Sequence, residues 1–99
     1  MAAVWPLRWS RRALADLDRI ARRIAAEKPL AAAEFVAGVR TSVERLTIFP
    51  MLGRAGALVD TRELVAHRNY LVTYRLRGDE VQLLQVWHVA RNRPRGGAR

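Results

Sequence analysis

The apolar residues of this 99-residue chain follow a helical period in the first half and a strand-like alternation in the last third. Ser10 can cap a first helix, which we expect to end near Glu27 because Pro29 disfavours helical geometry in the residue before it. Pro29 itself suits the first turn of a second helix, and so short a link predicts an antiparallel helical hairpin. The first helix is expected to pack through an apolar stripe of Leu14, Leu17, Ile20 or Ala21, and Ile24. The second helix carries a stripe of Phe35, Val36, Val39, Val43 and Leu46.

Four segments have the composition and alternation of β-strands, and they lie at residues 4–9, 62–67, 70–77 and 81–89. The last two are joined by Gly78 and Asp79, which predict a two-residue hairpin turn with glycine first. Counting outward from that turn pairs Arg75 with Gln82, Thr73 with Leu84, Leu71 with Val86, and Asn69 roughly with His88. The order of elements is therefore β-α-α-β-β-β. It predicts an α+β fold in which the helical hairpin packs on a small, curved, mainly antiparallel sheet.

Both faces of this strand hairpin are partly apolar, so alternation alone leaves open which face the helices cover and which face is functional. Tyr70, Tyr74 and Trp87 are expected to be core residues. Residues 1–94 are expected to form one domain, and residues 95–99 a mobile basic tail.

The chain is strongly basic, with 18 Lys and Arg residues against nine Asp and Glu residues and a formal net charge of +9. Lys28 is the only lysine, and the planar guanidinium groups of the arginines suit phosphates and carboxylates. A polyanionic partner is therefore expected. Because the chain has no cysteine, disulfides and thiolate zinc sites are excluded, and we expect no metal or other cofactor. The start of the chain has no secretory signal and no apolar stretch is long enough for a membrane span, so we expect a cytoplasmic protein without membrane contact.

Five segments resemble a known group of proteins when they are taken together and in this order. They read WSRRALADLDRIARRIA, FPMLGR, TRELV, YLVTYRL and VQLLQVWHVARNRP, and they run from Trp9 to Pro94. In order and spacing the chain resembles the ParE/RelE superfamily of toxins from type II toxin–antitoxin systems. The Phe-Pro-x-x-Gly-Arg loop, the Arg-Glu strand and the His-x-x-Arg ending are most similar to the ParE branch.

The resemblance implies the β-α-α-β-β-β fold and a hetero-oligomer with a cognate antitoxin, whose acidic or amphipathic C-terminal segment wraps around the toxin. ParE-type members poison DNA gyrase, whereas RelE-type members enter the ribosome and cut messenger RNA. A third alternative is a non-toxic partner that only regulates its antitoxin. The residues that bind the antitoxin are not identified by the sequence.

Cleavage of messenger RNA would need an acid, a base and cations for the phosphate. His88 is the candidate acid or base, with Arg62 and Arg75 as phosphate clamps and Arg91 as an extra donor. The residues after Lys28 lack the lysines that RelE-type members often use, and no tyrosine follows His88. Inhibition of gyrase by binding needs no matched acid and base, so we favour a gyrase poison that is not an enzyme.

The sequence also marks a surface for a target or for phosphate. We expect it to consist of Arg62, Arg75, Arg91, Arg93 and Arg95. Glu63 is a further candidate base if it faces the same cleft. The plainer interpretation of His88 is a hydrogen-bonded structural residue near the end of a strand.

Overall fold

The computed structural model describes residues 4–90 and shows two helices packed on one five-stranded sheet. The helices are α1 (Arg11–Ala25) and α2 (Pro29–Glu44), and a 3-10 turn follows at Arg45–Thr47. The strands are β1 (Leu7–Trp9), β2 (Arg54–Ala55), β3 (Arg62–His67), β4 (Tyr70–Arg77) and β5 (Glu80–His88). The predicted α+β fold is confirmed. The two-residue strand β2 is an addition, because it lies in a segment expected to be a loop.

The strands lie in the order β1-β5-β4-β3-β2, and only the pairing of β1 with β5 is parallel. At the far edge, β2 pairs with Arg62 and Glu63 alone. Residues 64–67 of β3 therefore have no strand beside them on that edge within the described part of the chain. Arg91, Arg93 and Arg95, as well as the expected tail at residues 95–99, lie outside the described residues.

Helix α1 begins where the Ser10 hydroxyl accepts a hydrogen bond of 3.0 Å from the Ala13 amide, as the capping pattern predicts. The prediction that Leu14 packs in the core is wrong, because 48% of this residue is exposed. The buried stripe keeps Leu17 but is turned away from Leu14 toward Ala13 and Asp16. It consists of Ala13, Asp16, Leu17 and Ile20, with Ile24 partly buried at its end.

The predicted pairing of β4 with β5 is correct next to the turn and wrong beyond it. Arg75 lies opposite Gln82, but Thr73 lies opposite Gln85 and Leu71 opposite Trp87. Leu84 is an extra residue that bulges out of β5, and such a bulge shifts the register of everything beyond it by one.

The bulge is fixed by hydrogen bonds from the first half of the chain. The Ser10 hydroxyl donates to the Leu84 carbonyl over 3.1 Å, and the Val86 amide donates to the Asp16 carboxylate over 3.0 Å. These bonds lie just beyond Trp9, where β1 ends. They connect the start of α1 directly to the part of β5 that β1 does not cover.

The helices cover the side of the sheet that carries Val72 and Tyr74 of β4 and Val81 and Leu83 of β5. Tyr74 and Trp87 are buried as predicted, and Tyr70 is half-buried with its ring edge-on to Phe35. The side that the helices leave uncovered is called the open face below. It carries half-buried Arg75 and Gln82, and also Leu71, Thr73 and Trp87, which are buried. Within residues 4–90, neither helix has the length and apolar character needed to cross a membrane.

Candidate interaction surface

The loop from Phe49 to Arg54 is held by one buried tyrosine of the sheet. The Tyr74 hydroxyl accepts a hydrogen bond of 2.8 Å from the Gly53 amide and donates one of 2.8 Å to the Pro50 carbonyl. Tyr74 itself is fully buried. Only glycine fits at position 53, because a Cβ atom there would lie 2.7 Å from the Tyr74 ring and 2.9 Å from the Glu63 carbonyl oxygen.

Arg62 and Glu63 hold the same loop from the two sides of β3. The Arg62 guanidinium donates to the carbonyls of Gly53 over 2.7 Å and of Met51 over 3.3 Å. On the opposite side, the buried Glu63 carboxylate accepts from the Ala57 amide over 3.1 Å and from the Arg54 guanidinium over 3.4 Å. Both side chains therefore fix the backbone of the loop and of the segment that follows it.

This fixed loop exposes apolar side chains that we call the ridge, namely Ile48, Phe49, Met51 and Leu52. Each of them is between 46% and 62% exposed. Contiguous exposed apolar groups commonly mark contacts with another protein. Next to the ridge lies an open cleft of about 920 Å³, lined by Met51, residues 55–62, Leu76 and Arg77.

Arg75 lies on the open face in a row of polar side chains that crosses three strands. Its Nε donates to the Gln82 side chain over 2.8 Å, and the Gln82 amide nitrogen donates to Glu80 over 3.0 Å. Glu80 also faces Arg8 of β1 at 3.7 Å. Arg75 is thus placed beside an amide and a carboxylate, and His88 is not part of this row.

His88 lies on the other side of the sheet from Arg75. It is paired with Tyr70, and the two rings meet edge-on with centroids 5.0 Å apart. Its Nδ1 accepts a hydrogen bond of 3.0 Å from the Ala90 amide. The Ala90 amide and the Tyr70 ring thus hold His88 at the end of β5.

The structure therefore separates the described members of the predicted nuclease set. Arg62 faces the loop, Arg75 lies on the open face, and His88 lies beside Tyr70. Arg91 is outside the described residues. Among the described residues, no group of three or more His, Asp or Glu side chains is placed to hold a metal ion.

The roles of Tyr74 and Asp16 do not follow from the sequence alone. Tyr74 was expected in the core, and a buried tyrosine hydroxyl usually finds a partner, but the partners here lie 21 and 24 residues away in the sequence. Asp16 sits among the apolar residues of α1 at helical spacing, and that was the available signal. A carboxylate in a buried stripe requires hydrogen bonds, since an unpaired buried charge is costly.

Removing the Tyr74 hydroxyl tests how firmly the loop is held. We expect Tyr74→Phe to lower the free energy of unfolding by about 1–3 kcal/mol, because the Gly53 amide and the Pro50 carbonyl lose their buried partner. Burial raises the pKa of Tyr74 above 10.0, although the Gly53 amide and the Arg62 charge act to lower it. The stabilisation from the neutral Tyr74 hydroxyl is therefore fully present below the pKa of tyrosine in the unfolded chain. It is lost as pH rises through the higher pKa of Tyr74 in the folded protein.

The measurement is urea unfolding of wild type and Tyr74→Phe at pH 7 and above pH 10. The difference in free energy of unfolding between wild type and Tyr74→Phe should be smaller at the higher pH. Tyr70→Phe is the matched control, and an equal narrowing in both variants would contradict the assignment to Tyr74.

Comparisons with known proteins agree with this fold. The family described as the ParE toxin of the type II toxin–antitoxin system parDE matches residues 7–93. Y4kP, a candidate toxin of Sinorhizobium fredii, is 42% identical over 89% of this chain and 92% of its own length. Toxin RelE2 of Caulobacter vibrioides is 35% identical over 84% of this chain and 93% of its own length.

A solved structure shares the architecture as well. It is described as a chromosomal ParDE toxin–antitoxin system from P. aeruginosa, and it superposes with a TM-score of 0.77 at 27% identity. The match covers 87% of this chain and 97% of the other. With the family match over nearly the whole chain, these likenesses show that the protein belongs to the ParE toxin family of type II toxin–antitoxin systems.

Proposed function

We propose that this protein is a toxin that inhibits growth by binding and poisoning DNA gyrase, without catalysing a reaction itself. The observation that carries the proposal is the ridge, an exposed apolar surface on a loop that three side chains of the sheet hold in place. A rigid apolar surface flanked by cations suits contact with a large protein. The separation of Arg62, Arg75 and His88 supports the same choice, because acid–base cleavage of RNA needs these groups together.

The proposal includes a cognate antitoxin. The similar P. aeruginosa structure is described as a ParDE system, in which a toxin and an antitoxin are named together. In this chain, the uncovered edge of β3 at residues 64–67 supports binding of an antitoxin segment as an added strand. Exposed Val65 lies on that edge and would contact a side chain of the added strand.

Brief production of the protein without antitoxin tests the proposed target. Gyrase cleavage complexes and DNA supercoiling are measured in the same cultures as the ends of messenger RNA. We expect cleavage complexes to accumulate while the messages stay intact. Cuts within translated codons would instead support the ribosome-dependent nuclease, the alternative suggested by the likeness to toxin RelE2. Normal growth would contradict both toxin activities and favour a regulatory partner.

A pair of ridge substitutions tests the surface itself. We expect the double variant Phe49→Ser/Met51→Ser to keep its fold and to lose growth arrest, since removing central apolar contacts costs about 2 kcal/mol or more, roughly 30-fold in affinity. The matched control is Leu14→Ser/Leu30→Ser, which removes two exposed apolar side chains from the helices. Growth arrest that is equally strong in both variants would contradict a role for the ridge.

A further inference from the structure

One side of α1 is lined with arginines, which we call the α1 arginine face. Its members are Arg11, Arg12, Arg19, Arg22 and Arg23, and all five are exposed. At about 100° per residue they fall within an arc of about 120°, next to the buried stripe. From Arg12 to Arg23 they extend for about 16 Å along the helix axis, at about 1.5 Å per residue.

Asp16 orients two of these guanidinium groups. Its carboxylate accepts from the Arg12 Nε over 3.1 and 3.3 Å and from an Arg19 terminal nitrogen over 2.7 Å, while only 4% of its side chain is exposed. The two arginine side chains themselves are 68% and 48% exposed. One carboxylate thus fixes two cations and leaves their remaining N–H groups toward solvent.

The rest of the face keeps an excess of positive charge. Arg22 pairs with Asp18 at 2.9 Å, whereas neither Arg11 nor Arg23 forms an ion pair with a described carboxylate. With five arginines and two aspartates, α1 has a net charge of +3 from 5 − 2. The surface therefore keeps a net positive charge, although three of its five arginines are paired with Asp16 or Asp18.

We propose that the α1 arginine face binds the sugar-phosphate backbone of duplex DNA, a function beyond the contact with a protein target. Duplex DNA carries about one negative charge per 1.7 Å, so a stripe of about 16 Å meets phosphates along its whole length. Guanidinium groups bind phosphate through two parallel hydrogen bonds.

The absence of an apolar anchor favours DNA over an acidic protein segment. Protein interfaces combine arginine with aromatic anchors such as Trp and Tyr, and this face has no aromatic side chain. Ala15 is the residue between the arginines of this arc, and exposed Leu14 lies outside it. The arc also has no Asn or Gln to read base edges, so the binding is independent of DNA sequence.

The test measures binding of the full chain to a 20-base-pair duplex by fluorescence anisotropy while salt is raised from about 50 to 200 mM. The variant is Arg11→Gln/Arg23→Gln, which leaves the bonds to Asp16 intact. We expect the slope of log affinity against log salt to fall by about 1.8, or about 0.9 per lost phosphate contact. The control Arg40→Gln/Arg45→Gln removes the same charge from exposed positions of α2 and its end, and we expect it to change the slope by less than about 0.5.

Three results would overturn the proposal. If the slope fell equally in the two variants, net charge alone would attract DNA. If wild type did not bind the duplex near 50 mM salt, the α1 arginine face would not be a DNA-binding surface. Loss of binding to polyglutamate by the α1 variant, with unchanged binding to DNA, would assign the face to an acidic protein. Thermal unfolding of each variant checks that the fold is kept. None of these outcomes depends on growth arrest, so the proposed toxin activity is tested separately.

Discussion

Replacing Asp16 with alanine should lower the free energy of unfolding by about 3 kcal/mol. The buried Val86 amide loses its acceptor, which costs about 1–3 kcal/mol, and the charge-assisted bonds from Arg12 and Arg19 are lost as well. Because Asp16 connects α1 to the bulged part of β5, its loss releases the helix from the sheet at that point. Urea unfolding with linear extrapolation gives the value directly.

Asp18→Ala is the matched control, because it removes the same side chain two positions away on the same helix. Asp18 is 63% exposed at its side chain and pairs only with Arg22 among the described residues. Exposed pairs of this kind contribute less than about 1 kcal/mol. If both variants lost stability to within about 0.5 kcal/mol of each other, the carboxylate bond to β5 would not hold the helix.

The second large effect is expected for Leu17→Ala, which should lower the free energy of unfolding by about 2–5 kcal/mol. Leu17 is buried in the core, and its truncation leaves a cavity that the surrounding residues fill only in part. The comparison is Leu14→Ala, whose side chain lies on the same helix but outside the buried stripe. We expect it to cost less than about 0.5 kcal/mol in the same unfolding experiment.

A large loss for Leu14→Ala would contradict the rotation of α1 seen in the structure. It would also support the core-facing stripe predicted from the sequence, which includes Leu14 with Leu17 and Ile24. The pair of variants therefore measures which side of α1 faces the core, independently of any activity.

Local chemistry made the helix ends predictable. Ser10 caps α1 and Pro29 opens α2, and both effects act within one turn of the chain. The register beyond Thr73 could not be predicted, because the bulge at Leu84 is held by Ser10, which lies 74 residues away. The side of α1 that faces the core was misjudged for a related reason, since Asp16 counts as a polar residue until its partner on β5 is known.

The candidate site was predictable in part. The sequence indicates a loop at the Phe-Pro-x-x-Gly-Arg segment. It does not show that Tyr74 and Arg62 fix the backbone of this loop and so leave its apolar side chains exposed. Alternation along a strand assigns residues to faces only while the register is regular. For this reason the grouping of Arg75 with His88 could be proposed from sequence, whereas their placement on opposite sides could only be seen in the structure.

The two edges of the sheet differ in how readily they can pair with a further strand. At one end, β1 is three residues long and follows Pro6, and the outward carbonyl of Leu84 and amide of Val86 are already bonded to Ser10 and Asp16. Short strands, proline and occupied backbone groups all oppose edge-to-edge association. The added strand proposed for the antitoxin is therefore expected at β3 and not at β1. Assemblies built in this way have a fixed composition and do not extend into filaments.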